Sequence, residues 1–279
     1  MDHQLRPPEP VWVLDLFAEE RTALLDLLSG LIGEDWEKPT ACAGWSVKDV
    51  ALHILGGDLG NLSRRRDGLG GVSPTTRENF INSLNLFNEE WVVVARRLSP
   101  RVVIELLEFS GPRLFDYFKS LDLRATGGGV SWAGLDQAPV WLDVAREYTE
   151  RWLHQQHIRD AVGKPGLADR RFMGPVLAAF VYALPVAFQH ADAPPGTAVH
   201  IHITGEAGGH WSVVQHRKGV WTLYAGAPDS AAARIEIDQS AAWRLFTRGI
   251  SAQEAEPLVR IEGDEELGKY VLHAVAIIA

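Results

Sequence analysis

Acidic residues and histidines follow one face of a predicted helix near the middle of the sequence. In "WLDVAREYTERWLHQQHIRDAVG" they are Asp143, Glu147, Glu150, His154 and His157, spaced four, three, four and three positions apart. Residues at these spacings share one face of an α-helix. Carboxylates and neutral imidazoles are ligands of divalent metals, so the pattern is typical of a metal site. A solvated outer face of an ordinary bundle helix is the alternative.

A further histidine lies in the stretch "TACAGWSVKDVALHILGGD". Ser46 followed by Asp49 is a capping-box pattern, which predicts a helix that begins at Val47. His53 then falls in the second turn, on the apolar side of the helix, so its imidazole is expected to point into the protein interior. Taken alone, such a histidine is more often a hydrogen-bonded core residue than a metal ligand.

The two helices together favour the metal site. A buried carboxylate or charged histidine is costly unless it is paired or bound to metal, and bundles build metal sites from facing helices. Glu150 and His154, one turn apart, with His53 from another helix, would give two histidines and one glutamate with open coordination positions. Zinc suits such a site best, and nickel, cobalt, manganese or iron would also be accepted.

Composition excludes several classes of partner. The formal net charge of -9 gives no field that attracts nucleic acid. The sequence shows no signal pattern and no uncharged apolar run of the ~18 residues that cross a bilayer, so no membrane partner is expected. The single cysteine, Cys42, rules out an intramolecular disulfide and suits a reducing compartment. We expect a cytoplasmic protein, either a monomer or a homodimer.

Apolar spacing changes along the chain. The first part repeats at three and four residue steps, which predicts four principal helices in a bundle. A connecting helix, "RRFMGPVLAAFVYALPVAF", is expected to be interrupted or to end near Pro185. The runs "AVHIHITG", "HWSVVQH", "VWTLYAG" and "ARIEID" then alternate as strands do, before helical pieces around Trp243 and Lys269. We predict a helical bundle over residues 1–168 and a smaller α+β domain, with the connecting helix, over residues 169–279.

The candidate ligands lie in two blocks, "PTACAGWSVKDVALHILGGD" and "EYTERWLHQQHIRDAVGKP". The first resembles the T-x-C-x-G-W-S/T-V-x-D-x-x-x-H block, and the second the E-x-x-x-H-x-x-D-I/L-R block, of the DinB-like, mycothiol-dependent maleylpyruvate isomerase family. The segments "AWRLFTRGI", "VRIEGD" and "VLHAVAIIA" are similar to the sterol-carrier-like domain that members carry behind the bundle. The resemblance covers most of the chain.

This resemblance implies metal ligation by His53, Glu150 and His154, the same three residues that the facing helices favour. His157 stands where the family usually has Asp. His157 and Glu147 are expected beside the ligands, where they would orient them, so the change at His157 could alter the metal or the substrate without removing the site.

The resemblance also implies a metal-dependent enzyme with mycothiol, a low-molecular-weight thiol, as co-substrate. In the family's isomerase reaction the thiolate adds to a cis double bond next to carbonyl groups, the resulting single bond rotates, and expulsion of the thiol leaves the trans isomer. Relatives transfer the thiol to an electrophile, so isomerase and thiol transferase both stay open. Arg244, Arg248 and Arg260 are candidates for holding the carboxylate of a small substrate, with surface ion pairing as the alternative for each.

Two other functions fit the same residues. A binding or regulatory protein would hold a small apolar molecule in the α+β domain and keep the metal as a structural element. A metal-dependent hydrolase would place water rather than a thiol at the open position.

Three further residues are weaker candidates. Cys42 has no histidine at a fixed spacing, so a buried or loop-structural role is favoured over a nucleophile. His200 and His202 alternate with apolar residues along a predicted strand, which is typical of a side that faces solvent.

Overall fold

The structure is a computed structural model that describes residues 5–70 and 77–276, except for the side chains of residues 77–81. The last three residues of the segment "VLHAVAIIA" lie outside this range. Among the described residues, no helix combines the length and the apolar character that crossing a membrane would require.

The described chain forms two compact units that interleave along the sequence. The helical unit contains Val13–Asp122 and Glu147–Leu167. The α+β unit contains the residues up to Trp12, Leu123–Arg146, and the residues from Ala168 on. The last of these divisions lies one residue from the expected boundary after residue 168, whereas the sequence pattern did not indicate the three earlier ones.

Five helices of fourteen or more residues lie wholly or mostly in the described part of the helical unit. They are α1 (Leu16–Ser29), α2 (Val47–Gly60), α3 (Arg77–Ala95), α4 (Pro100–Lys119) and α5 (Val140–Val162), of which the residues from Glu147 on belong to this unit. A 3₁₀ turn at Gly33–Glu37 precedes α2, and a π-helical turn at Asn61–Arg66 continues it.

The hydrophobic core of the helical unit lies between α1, α2, α4 and α5. Leu28, Leu55 and Leu107 of the first three helices are buried there with Ile158 of α5. α3 instead packs on α2 and leaves large apolar side chains such as Phe87 exposed. The expected four-helix bundle is therefore confirmed, and α3 is an addition to it.

Local contacts determine where α2 begins and how closely α3 approaches it. Ser46 Oγ accepts a hydrogen bond from Asp49 N at 3.3 Å, and Asp49 Oδ2 accepts one from Ser46 N at 3.1 Å, which is the predicted capping box. Trp91 of α3 donates from Nε1 to the Leu52 carbonyl at 2.8 Å. A Cβ at Gly56 would lie 2.5 Å from the Trp91 ring, so this contact requires glycine.

A five-stranded sheet in the order β3-β2-β1-β4-β5 forms the centre of the α+β unit. Its strands are β1 (Ala198–Thr204), β2 (Gly209–Arg217), β3 (Val220–Ala225), β4 (Ala233–Asp238) and β5 (Val259–Gly263). β1 and β4 run parallel, and the other neighbours run antiparallel. The four predicted strands are confirmed, while β5 was not predicted.

Short helices complete the α+β unit. They are α6 (Arg170–Phe180), α7 (Leu184–Ala187), α8 (Gln239–Phe246), α9 (Ala252–Ala255) and α10 (Glu265–Gly268), with 3₁₀ turns at Ser131–Ala133, Val181–Ala183, Glu256–Leu258 and Lys269–His273. The connecting helix is interrupted just before Pro185, as expected, and the helical pieces around Trp243 and Lys269 are present.

Candidate metal centre

The structure brings together His53 of α2 with Glu150 and His154 of α5. One ligand atom from each of these three side chains lies within 4.8 Å of the other two. The Nε2 atom of His154 is 3.6 Å from Glu150 Oε2, and the His53 and His154 rings are 4.6 Å apart in an edge-on arrangement. We call His53, Glu150 and His154 the first trio.

The donor chemistry of the first trio fits a divalent metal. Two ligand atoms bonded at about 2.1 Å to a tetrahedral zinc ion are about 3.4 Å apart. The observed separation of 3.6 Å between His154 Nε2 and Glu150 Oε2 is close to this value. Two imidazole nitrogens and one carboxylate oxygen can therefore hold zinc or a related ion while other coordination positions stay open.

Burial keeps both imidazoles of the first trio neutral. It lowers the pKa of His53 to about 3, and the neighbouring His154 lowers it further. Burial also lowers the pKa of His154 to about 4, with a second contribution from the Arg151 guanidinium. At neutral pH both rings therefore present a lone pair, which is the form that binds metal.

The N-terminal end of α2 holds His53 in place. The Trp45 ring lies 5.0 Å from the His53 ring and donates from Nε1 to Glu89 of α3 at 2.7 Å. Asp49 accepts two hydrogen bonds from Arg96, at 2.9 and 3.1 Å. Both contacts tie the first turn of α2 to α3 and to the residue that follows it.

Cys42 lies against the same helix face, which the sequence did not predict. Its Sγ is 3.1 Å from Nδ1 of His157 and 3.9 Å from Nδ1 of His154. One ligand atom from each of Cys42, His154 and His157 also lies within 4.8 Å of the other two, and we call these three residues the second trio. The partners are 112 and 115 positions apart, so local spacing carried no signal.

A tight turn before α2 fixes the position of Cys42. Thr40 Oγ1 accepts from the Cys42 amide at 3.2 Å and donates to the Trp45 carbonyl at 2.9 Å. The Trp45 amide donates back to the Cys42 carbonyl at 3.0 Å, and Gly44 takes the positive φ of 79° that this turn needs. Burial raises the pKa of the Cys42 thiol to about 11.

A buried ion cluster lies about one turn from the first trio, later in α2 and earlier in α5. Asp58 of α2 contacts Arg21 Nη2 at 2.7 Å and Arg151 Nη2 at 2.9 Å, and it accepts from Ser110 Oγ at 2.7 Å. Arg151 also binds Glu147 at 3.0 Å. Burial alone would raise the pKa of Asp58, but Arg21 and Arg151 hold it below its usual value. Sequence reasoning missed Asp58, Arg21 and Arg151.

Glu147 was expected beside the metal ligands. Its Oε2 accepts from Arg151 and, at 2.9 Å, from Asn61 Nδ2, and its Oε1 lies 3.9 Å from Arg65 Nη1. The charge of Glu147 also acts directly on the first trio: burial dominates the lowered pKa of His53, and Glu147 is a smaller, opposing contribution. The orienting role of Glu147 stays a prediction.

The three candidate arginines lie in the α+β unit. Arg244 is 4.2 Å from the centre of the Trp243 ring and donates to Ser240 Oγ at 2.6 Å. Arg248 has a positive φ of 57°. Arg260 of β5 pairs with Glu262 at 2.7 Å on an exposed surface. Their role toward a substrate stays a prediction.

The histidines of β1 are less exposed than expected. His200 is buried, with Nε2 3.1 Å from His210 Nδ1, and burial lowers its pKa to about 4. The His202 ring stacks on His210 at 4.1 Å and lies 3.3 Å from Glu236. The solvent-facing expectation is therefore wrong for His200, because neighbouring strands place further side chains over it.

Residues 17–159 match the family model described as "Mycothiol maleylpyruvate isomerase N-terminal domain". The chain belongs to this family. The matched range covers more than half of the chain and includes all residues of the first and second trios. The sequence-based assignment to the mycothiol-dependent maleylpyruvate isomerase family is thereby confirmed.

Solved structures extend the likeness beyond the bundle. "Crystal structure of the mycothiol-dependent maleylpyruvate isomerase" aligns with 83% of this chain and 86% of its own, at 13% identity and a TM-score of 0.50. A histidine-to-alanine mutant of that isomerase aligns over the same shares at 12% identity and the same TM-score. At such identities the likeness shows the fold alone.

Two further comparisons add less. "UbiJ-SCP2 Ubiquinone synthesis protein" aligns with 37% of this chain and 96% of its own at 12% identity, with a TM-score of 0.27. The comparison with curated proteins found no match.

Proposed function

We propose that this protein is a metal-dependent enzyme that uses mycothiol as co-substrate and acts as an isomerase or thiol transferase. Its substrate is a small electrophile that bears a carboxylate. The convergence of the first trio from two helices, in a chain of the mycothiol maleylpyruvate isomerase family, supports this proposal. The solved protein whose fold it shares is named as a mycothiol-dependent maleylpyruvate isomerase.

The first trio would hold the metal. His53 and His154 contribute neutral nitrogen donors, and Glu150 contributes the negative charge that offsets part of the charge of a divalent ion. Zinc is the proposed ion, with nickel, cobalt, manganese or iron as substitutes that the same donors accept. When bound, the ion would lower the pKa of a coordinated thiol and so supply a thiolate nucleophile at neutral pH.

The exposure of the first trio indicates from which side the thiol approaches. The Glu150 side chain is 33% exposed, whereas the His154 side chain is 12% exposed. The Trp45 ring lies against His53. The Glu150 side is therefore the more accessible one, and the imidazole side is shielded from water that would compete for the metal.

Consumption of the thiol separates the two reactions. An isomerase adds the thiolate to a cis double bond and expels it after rotation, so mycothiol is returned unchanged. A transferase retains the sulfur on the electrophile, so one thiol disappears for each product formed. Both reactions need the same nucleophile, which is why the first trio supports either.

The decisive experiment measures activity with and without metal and with and without mycothiol. Chelator-treated protein is reloaded with zinc and assayed on maleylpyruvate, with isomerisation followed by chromatography and free thiol counted in parallel. A panel of small electrophiles tests thiol transfer. We expect turnover only when metal and thiol are both present, and loss of turnover in His154→Ala but not in His190→Ala, which changes an exposed histidine of the α+β unit.

Turnover that survives removal of the metal would contradict the proposal. Metal-dependent turnover without any thiol would instead indicate the hydrolase alternative. Stoichiometric metal with no turnover on any substrate would support the binding-protein alternative.

A further inference from the structure

The two trios meet at opposite nitrogens of one imidazole. His154 Nε2 faces Glu150 at 3.6 Å, while His154 Nδ1 faces Cys42 Sγ at 3.9 Å. His157 Nδ1 approaches the same sulfur at 3.1 Å. Ligand atoms therefore converge at two separate points, one on each side of the His154 ring.

We infer that Cys42, His154 and His157 form a second metal site, which takes a thiolate-binding divalent ion such as zinc or cobalt. Metal–sulfur bonds of about 2.3 Å and metal–nitrogen bonds of about 2.0 Å place sulfur and nitrogen about 3.5 Å apart in a tetrahedral site. The two observed sulfur–nitrogen distances, 3.1 and 3.9 Å, lie on either side of this value. The second trio needs only small side-chain shifts to bind an ion.

The backbone around the second trio is already fixed. The turn tied by Thr40 holds Cys42, and His154 and His157 lie three residues apart on α5. His157 is buried, and the His154 side chain is 12% exposed. Because the chain positions all three ligands before an ion arrives, ordering them costs little free energy.

Binding at the second trio changes the proton count in a defined way. The Cys42 thiol releases its proton to solvent and coordinates as a thiolate, since the thiolate is the form that binds metal. If both trios held an ion, His154 would also release its ring N–H proton to solvent, because each of its two nitrogens would then be a ligand. No oxidant or reductant takes part.

A thiol–imidazole hydrogen bond is the simpler alternative. It accounts for both contacts of Cys42 Sγ, because the thiol can donate to one imidazole and accept from the N–H of the other. The two interpretations differ in one observable property, because only a metal site forms a bond between cobalt and sulfur.

Titration with cobalt(II) tests the second site directly. A cobalt–thiolate bond gives a near-ultraviolet sulfur-to-metal charge-transfer band, and Cys42 is the single cysteine of the chain. In buffer without thiols, we expect this band in the wild type and also in His53→Ala, where the first trio has lost a ligand. Cys42→Ser should lose the band while still binding cobalt at the first trio, as elemental analysis would show. His157→Ala should weaken it.

Two results would overturn the inference. One is the absence of a charge-transfer band in both the wild type and His53→Ala. The other is a band that disappears in His53→Ala and in Glu150→Gln, because Cys42 would then be a ligand of the first metal. Far-ultraviolet circular dichroism checks that each variant is folded, and Glu150→Gln replaces His53→Ala if the latter is not. This inference goes beyond the proposed function. The cobalt titration uses no mycothiol and measures no turnover, so either proposal can be contradicted without affecting the other.

Discussion

Two glutamates of α5 are each followed, four positions later, by a basic residue. The residue is an arginine in one pair and a histidine in the other. Glu147 is followed by Arg151, whose permanent positive charge contacts it at 3.0 Å. Glu150 is followed by His154, whose pKa is lowered to about 4 by burial and by Arg151. The residue four positions after Glu147 is therefore a permanent cation, whereas the residue four positions after Glu150 is a neutral imidazole with a lone pair.

This difference separates a charge-paired cluster from the proposed metal site. In the ion cluster, two carboxylates, of Asp58 and Glu147, meet two guanidinium groups, of Arg21 and Arg151. Buried charges that are paired in this way are tolerated, and removing one partner is costly. The first trio has one carboxylate and two neutral imidazoles, which is a donor set that fits a divalent ion. The same four-residue spacing therefore gives a charge pair at Glu147 and Arg151 but a candidate metal site at Glu150 and His154, because only His154 is neutral.

Replacing a ligand should produce the largest change in function with a small change in stability. We expect His154→Ala to reduce metal-dependent turnover to the level of chelator-treated wild type, because both trios lose a ligand. The unfolding free energy of the metal-free form should fall by less than the ~2–5 kcal/mol that a deleted apolar core side chain costs, since water can fill the gap in a polar site. Elemental analysis, turnover and urea unfolding in chelator measure the three quantities. A large loss of stability with retained metal would mean that His154 is an ordinary core residue.

Breaking the ion cluster should do the reverse. Asp58→Ala leaves Arg21 and Arg151 buried without their shared carboxylate, and we expect a loss of about 3–5 kcal/mol in unfolding free energy. Glu105→Ala is the control, because it removes an exposed pair with Arg101 on α4 and should cost less than about 1 kcal/mol. Urea unfolding of both variants, in chelator, provides the numbers. Equal losses would show that the buried cluster adds no more than a surface pair.

The pH dependence of the stability of the metal-free protein tests whether the two histidines of the first trio are neutral in the folded state. In the native protein His53 and His154 have pKa values of about 3 and about 4. They therefore stay neutral at pH values below about 6.5, where the same histidines bind a proton in the unfolded chain. The unfolded state therefore binds more protons in this window, and stability falls as the pH is lowered through it. Each histidine contributes at most about 1.4 kcal/mol for each pH unit.

His53→Asn isolates that contribution. His200, also with a pKa lowered to about 4, adds its own slope in both proteins, so the difference between wild type and variant belongs to His53. We expect the variant to lose less stability than the wild type between about pH 6 and about pH 4, measured by urea unfolding in chelator. Parallel curves for the two proteins would argue against a neutral, buried His53.

The sequence predicted those parts of the site that lie on regular helices. Spacing placed Glu150 and His154 on one face of α5, and the capping box placed His53 in the second turn of α2. The contact between Cys42 and His157 could not be predicted, because a turn carries no periodicity and its partner lies 115 positions away. Cys42 lies in the first and His157 in the second of the two sequence blocks that resemble one family, and that resemblance was the signal that the two blocks lie close together.

Burial explains most of the remaining differences between the sequence-based predictions and the structure. Asp58 and Arg151 belong to residue types that are usually exposed, so nothing in their spacing indicated that they are buried and paired. β5 lies at the edge of the sheet, and its sequence VRIEG alternates apolar and charged residues as β4 does, so a strand could have been predicted there. His200 is buried because strands that are adjacent in space supply its neighbours.

The arginines of the α+β unit should give the smallest effect. If one of them holds the substrate carboxylate, its replacement removes a charge-assisted hydrogen bond of about 1.5–3 kcal/mol, which raises KM roughly tenfold or more. We expect this for one of Arg244→Ala, Arg248→Ala and Arg260→Ala, with kcat little changed, because the contact is the same in ground state and transition state. Replacing the same arginine by lysine should restore KM only in part, since lysine keeps the positive charge but cannot donate two parallel hydrogen bonds to a carboxylate. Steady-state kinetics on the metal-loaded protein measure both constants, and three variants whose KM stays within about twofold would exclude all three arginines from substrate binding.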